Sequence, residues 1–515
     1  MSIGFTRRTA LAGSLSLAAT SLAAPGAARA QALKGGTLRV AILADIQNFD
    51  PQQFSGVNFP LIKNLYDSLI EYTPSGEAIP SLATAWKIAP GNAAVSVELR
   101  KDVAFHSGAP FNAEAVAATL KKGADPQKGK NVYATMSIVK DWTVDGPSAL
   151  TLNFKNPVPD RQITDLLQFL SVIDPTGIDT VETKAAGTGA FTVAERVLGQ
   201  RVRMTANPKY WRQGQPILSE VVITVFSDND SAGAALESGA VDVIYGAVNG
   251  RLAVRLRNAG YQLLQGPGPL VQVLRINTTR GPFKNAKYRQ AFNYLIDRAA
   301  ILRVGYAGLG QVTALPWAPA SPAADKSYDT TYAFDLAKGQ ALLKESGLSA
   351  AEMSDWKLLV NGSDQDAMAI SQIVQSTLAR AGVNIQLDVK QGAEWTEALL
   401  GGKFDATFGG IGNIQKFPSR IGTNSIYRLA NNPVLGEPHP HPAYVEAIRR
   451  VDTTFGSPDA VKAAYDNLNK VMVESAFGIA TNTFDIGLIV AAKNVGGFTL
   501  DIDNMLVART IGFTS

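Results

Sequence analysis

The sequence predicts a globular α/β protein built from more than one compact unit. Three observations point there. The chain has 515 residues, enough for two or three domains of ordinary size and a substantial core. It is 46% hydrophobic and 18% charged, the balance of a globular protein and not of a disordered one. Along it, β-branched apolar runs alternate with stretches whose apolar residues recur at spacings of three and four.

The stretch from Leu270 to Gly305 shows the pattern most clearly. Val271, Val273 and Ile276 lie in a mostly apolar run that reads as a largely buried strand, and Arg280-Gly281-Pro282 breaks it. Asn285 is placed to cap a helix whose apolar side is Tyr288, Ala291, Phe292 and Leu295. Asp297 then caps a second helix that ends near Gly305.

Residues 1–30 read as a targeting segment, not as fold. Arg7-Arg8 precedes a run of Ala, Leu, Ser and Gly from Thr9 to Ala24, and Ala28-Arg29-Ala30 offers small residues for cleavage. Thr6-Arg7-Arg8 followed by Leu11 is similar to a twin-arginine export signal; an ordinary secretory signal that opens on two arginines is the alternative. The formal charge of +4 counts Arg7, Arg8 and Arg29; taking those 3 from 48 basic residues leaves 45 against 44 acidic ones, or +1. No basic patch argues for nucleic acid or an anionic membrane. Without a cysteine there is no disulfide and no lipid anchor at the cleavage site. No other stretch approaches about 18 consecutive apolar residues, so a soluble, exported, periplasmic protein is expected.

From Gly35 onward the elements follow in order. Thr37 to Leu43 is predicted as a strand, Asp50-Pro51 as a turn and Phe59 to Ile70 as a helix. Val95 to Leu99 alternates as a half-exposed strand does, and Asn112 caps a helix to about Lys121. Val193 to Met204 reads as two short strands around a Gly199 turn, followed by a buried strand at Val221 to Phe226 and a helix at Ala232 to Leu236. Further on come helices from Leu336, at Ile370 to Ala381 and at Pro458 to Met472, strands at Trp356 to Val360 and Val383 to Val389, and a return strand at Phe484 to Val490.

Several blocks carry a resemblance to a known family. They are the Asn277-Thr278 pair after a strand, Pro282-Phe283, Arg289-Gln290-Ala291 and Ile296-Asp297-Arg298. LRKDVAFHSGAPFNAEAV, Gly187-Thr188-Gly189, Asn207-Pro208 with Tyr210-Trp211, and Leu236 to Gly239 before Val241-Asp242 add to them. In order and spacing they resemble the family 5 extracytoplasmic solute-binding proteins of ABC importers, which include dipeptide, oligopeptide and nickel-complex binders. The resemblance covers nearly the whole chain after the targeting segment. It implies a two-lobed Venus-flytrap fold with an inserted subdomain. Residues 31–56, 185–269 and 483–515 would form the first lobe, 57–184 the insert and 270–482 the second lobe. It also implies a monomer that works with permease and ATPase subunits and needs no cofactor. A ligand sensor or chaperone-like binder on the same fold, without transport, is the alternative.

The residues themselves argue against catalysis. There is no Gly-x-Ser-x-Gly elbow, and the lack of cysteine excludes a thiol nucleophile. Gly123 and Gly129-Lys130 mimic a phosphate loop but enclose five residues instead of four. His439-Pro440-His441 has no clustered carboxylates nearby, so no metal site is expected. His106 falls in the turn block and is expected to be structural.

Placed on the family pattern, the ligand site is expected to draw on Val57, Tyr245, Asn361, Trp395, Phe408, Phe484 and Asp485. Phe408 and Phe484 can equally be core residues; Trp395 stands among polar neighbours, which favours the cleft. Peptide binders usually follow the Phe-Asp strand with a tryptophan and then an aspartate that takes the peptide amine. Here Ile411 holds the tryptophan's place and Asn413 or Ile414 the aspartate's, with Lys416, Arg420 and Arg428 beyond. That departure replaces the plain free-amine peptide with a peptide-like or anionic solute such as an opine, sugar phosphate or carboxylate conjugate. It makes Asn413, Lys416 and Arg420 candidate contacts, the two cations as an anion site.

Overall fold

The computed structural model describes residues 33–246, 248–266, 270–412, 417–424, 427–436, 439–484 and 488–514. The targeting segment with its twin arginines lies outside the described residues, as do Asn413, Lys416 and Asp485.

Two mixed sheets organise the structure. The strand Thr37–Ile42 sits inside a seven-stranded sheet, parallel to Glu220–Val225 on one side and to Val243–Tyr245 on the other. Leu38, Val40 and Ala41 are all fully buried, as a strand covered on both faces requires. In the five-stranded sheet, Lys357–Asn361 runs parallel to Gln386–Lys390 and to Ala406–Ile411. Leu270–Ile276 lies antiparallel between Ala406–Ile411 and Gly478–Phe484.

The chain connects the sheets between Gln262–Leu264 and Leu270–Ile276, and again between Gly478–Phe484 and Ile489–Ala491. The expected return strand at Phe484 to Val490 is therefore the end of one strand and the start of another. Phe484 pairs with Leu270 in one sheet, whereas Ile489 pairs with Tyr245 and Leu264 in the other.

A third sheet of four antiparallel strands, within residues 83–154, packs on the same core as the seven-stranded sheet. Val95, Val97, Leu150 and Leu152 are continuous with Leu38 and Val40. The five-stranded sheet has its own core, from Val271 and Phe283 to Phe477.

Caps set several helix starts. Asn112 accepts from the Ala115 amide at 3.0 Å, Asn285 from Tyr288 at 3.2 Å and Asp297 from Ala300 at 2.9 Å. Each such bond is worth about 1 kcal/mol. The helix expected at Phe59 to Ile70 stops at Leu65, and Ile70–Tyr72 is a strand. Its end is decided from afar. The Leu65 carbonyl accepts from the Gly189 amide at 3.0 Å, and a Cβ at Gly187 would lie 2.0 Å from that oxygen. The glycines of the Gly187-Thr188-Gly189 block thus allow two backbones to touch.

Two arginines of the family blocks tie the second core together. Arg298 is buried and donates to the carbonyls of Ala480, Asn293 and Tyr332 and to Asn293 Oδ1, at 2.8 to 2.9 Å. Burial pulls its pKa down to about 10. Arg289 likewise donates to the carbonyls of Phe283, Lys284 and Ser475.

Candidate ligand-binding cleft

Ends of parallel strands from both sheets meet at one cavity. In open α/β sheets this is where ligands bind, because the strand ends and the loops after them leave a crevice. The wall from the seven-stranded sheet comprises Val248, Asn249 and Gly250, just beyond Val243–Tyr245, with Leu488 before Ile489–Ala491. The opposite wall comprises Leu359 to Asn361, Thr407 to Gly410, Gln272, Arg275 and Phe484. Trp395, half-buried on the helix Gly392–Leu400, closes one side. The cavity measures about 490 Å³, within the size range of small-molecule sites.

Charge is unevenly spread around it. Asp364 caps the helix Gln365–Arg380 by accepting from the amides of Asp366 and Ala367, which fixes the acidic pair at the cavity edge. Burial raises the pKa of Asp366; Arg251 opposes that rise and Asp364 adds to it. Arg251, on the helix Gly250–Asn258, pairs with Asp366 at 3.3 Å and so links the two walls at the rim. Tyr306 packs against Phe484 with ring centroids 5.3 Å apart. Its phenol is pushed above the usual range by burial, and then by Asp364 and Asp366.

Of the residues expected from sequence, Asn361, Trp395, Phe408 and Phe484 line this cavity together. Tyr245 is buried behind the wall, its hydroxyl donating to the Asn504 carbonyl at 2.9 Å, while the residues just after it reach the cavity. Val57 is half-buried in the short turn Gly56–Asn58 and does not line it. Arg420 does not line it either. Its guanidinium donates to Thr135 Oγ1 and lies 5.2 Å over the Phe169 ring.

Gln272, Arg275, Tyr306 and Asp364 were not singled out by sequence. The one signal for any of them is that Gln272 and the cation Arg275 interrupt the mostly apolar run LVQVLRI. The His439–His441 pair is packed into aromatic surroundings, with His441 stacked on Phe477 at 4.6 Å. Among the described residues no group of three or more His, Asp or Glu is placed to hold a metal. No helix among them is long and apolar enough to cross a membrane. The His106 ring bonds the Gly189 carbonyl at 2.9 Å, beside the Leu65 contact.

Two α/β halves facing each other across one cavity make a two-lobed fold of the kind that extracellular solute-binding proteins have. The chain belongs to family 5 of these proteins: the family described as "Bacterial extracellular solute-binding proteins, family 5 Middle" matches residues 77–425. The glutathione-binding protein GsiB of Salmonella typhimurium strain LT2 is 27% identical over 366 residues, 69% of this chain and 70% of that one. The substrate-binding protein CtaP of Listeria monocytogenes shares the fold with a TM-score of 0.82 at 18% identity, over 94% of this chain and 100% of that one. AgaA from A.tumefacien R10, solved with agropinic acid, shares it with a TM-score of 0.75 at 21% identity, over 93% and 99%.

Proposed function

We propose that this chain is exported through its twin-arginine segment and captures a small peptide-like or anionic solute in the cavity between the sheets. It then presents that solute to the permease and ATPase subunits of an importer. The observation that carries the reading is the cavity. It holds about 490 Å³ between strand ends of both sheets, with the aromatic surfaces of Trp395, Phe408 and Phe484 beside the amides of Asn361 and Gln272. A solute that touches both walls stabilises their closed arrangement, because it makes more contact there than in an open one. Binding in the micromolar to nanomolar range needs roughly −8 to −12 kcal/mol, which aromatic surface with a few directed polar groups can supply. The mature protein starts after Ala30 or Ala32, works as a periplasmic monomer and performs no catalytic step.

Glutathione and agropinic acid, named with GsiB and AgaA, are the first solutes to try. Native mass spectrometry of the mature protein is the test. The expected result is a bound small molecule, absent when Trp395 and Phe484 are both replaced by alanine. A protein that carries nothing and takes nothing up from a cell extract would overturn the reading.

A further inference from the structure

Arg275 lies between Leu274 and Ile276, both fully buried, and forms part of the cavity wall. A guanidinium at such a place needs partners. The side chain lies over Gly409 of the neighbouring strand, where a Cβ would stand 2.4 Å from Arg275 Cζ, while a Cβ on the next residue, Gly410, would stand 2.9 Å from the Phe484 ring. Any larger residue at 409 would displace the guanidinium, so Gly409 is what gives it room.

Its partners within the chain are few. Nη2 donates to the Gly410 carbonyl at 3.2 Å, and Nε is enclosed by protein without an acceptor. Nη1 has no partner among the described residues and is not enclosed as Nε is. Burial pulls the pKa below the usual guanidinium range, and the Tyr427 phenol opposes that fall. Arg298 and Arg289, in the same core, show how this fold satisfies a buried guanidinium without a carboxylate: each is ringed by backbone carbonyls. Arg275 has one long bond instead. Arg275 is only half-buried, so water reaches part of its guanidinium, but the enclosed Nε and the single bond leave it less well compensated than Arg298 or Arg289. A negative group that replaces that water gains a charge-assisted bond.

The rest of the cavity narrows what that group is. Arg275 is the sole cation among the described residues that line it, and Asp364 and Asp366 are its acids. The aspartates stand at the start of the helix Gln365–Arg380, where Arg251 pairs with Asp366, whereas Arg275 stands on the strand Leu270–Ile276 and bonds the Gly410 carbonyl. An anionic group entering the cavity is repelled at one place and attracted at the other.

Resting on the reading that this cavity is the solute site, we propose that Arg275 is the anchor for a carboxylate of the solute. The carboxylate is taken end-on by Nη1 and Nη2, and the protein therefore selects solutes with a free carboxylate. Arginine's planar fork matches a carboxylate with two parallel hydrogen bonds, which a neutral amide or ester cannot match in strength.

The test uses one complex probe in two forms: yeast extract as prepared, and the same extract after methyl esterification of its carboxyl groups. Each is incubated with the mature protein and the retained masses are read by native mass spectrometry. The wild type should retain solutes from the untreated extract and not their esters. Arg275→Gln should lose retention on the order of 30-fold or more, and Arg275→Lys by less. Gly409→Ala, which displaces the guanidinium without removing it, gives a second route should Arg275→Gln fail to fold. The esterification comparison needs no variant. Retention of the esters, or equal retention by Arg275→Gln, overturns the anchor and leaves solute capture standing. A wild type that retains nothing from either extract overturns solute capture and the anchor together.

Discussion

Arg420 makes a contact between the two cores away from the cavity, and replacing it measures what that contact contributes to closure. Phe417 and Ile421 around it belong to the core of the five-stranded sheet, whereas Phe169 belongs to that of the seven-stranded sheet. Its guanidinium bonds Thr135 and covers the Phe169 ring. Burial lowers its pKa, opposed by Asp165, Tyr72 and Asp503. Arg420→Ala removes a cation–π contact worth about 0.5–2 kcal/mol. It also removes a hydrogen bond worth about 0.5–1.5 kcal/mol. Together these make roughly 1–3.5 kcal/mol of closed-state stability. Where the free protein is mainly open, that loss passes into the apparent affinity. The expected weakening is about 5-fold to about 300-fold. Calorimetry with several solutes should give one factor for all of them, since Arg420 does not line the cavity. Affinities within about twofold of wild type would refute the closure role. A loss confined to acidic solutes would instead make Arg420 a direct anion contact.

Three further outcomes are expected. Arg298→Met leaves the carbonyls of Ala480, Asn293 and Tyr332 without their donor, so urea unfolding should show a loss of about 3–5 kcal/mol; a loss under about 1 kcal/mol would contradict its structural role. The His441 pKa is held down to about 4 by burial, then by Arg289 and His439, against an ordinary 6.5. The unfolded chain therefore binds the proton more readily between those values, and stability should fall as pH drops from about 6.5 to about 4. The shift in urea midpoint between pH 7.5 and pH 4.5 should be smaller in His441→Gln. Replacing Arg7 and Arg8 by lysines should leave the uncleaved chain in the cytoplasm, seen by fractionation and immunoblot; unchanged export would point to the general secretory route.

What sequence reveals here depends on how far a residue's partners lie along the chain. The caps at Asn112, Asn285 and Asp297 were legible because each bonds an amide three residues on. The Phe59 helix was read too long because helical spacing continues past Leu65. At the point where it stops, Gly187 and Gly189, more than a hundred residues later, approach the Leu65 carbonyl. In the cavity, Asn361, Trp395, Phe408 and Phe484 were found through the order of family blocks and not through their own chemistry. Arg275 was passed over because a mid-strand cation has no meaning until its neighbours are known. Those neighbours, Gly409 and Gly410, come from a strand more than 130 residues away. Tyr245 shows the converse: adjacency to a block suggested the cleft, but its hydroxyl is held by Asn504.

Hydrogen–deuterium exchange with and without the solute identified by native mass spectrometry tests solute capture between the sheets most directly. Backbone amides exchange more slowly where contacts form or opening is suppressed. Protection is expected in residues 248–250, 270–275, 359–371 and 406–410 and at Phe484 and Leu488, on both walls of the cavity at once. Protection on one wall alone, or confined to the separate groove around Lys121, Lys128 and Glu182, would contradict it.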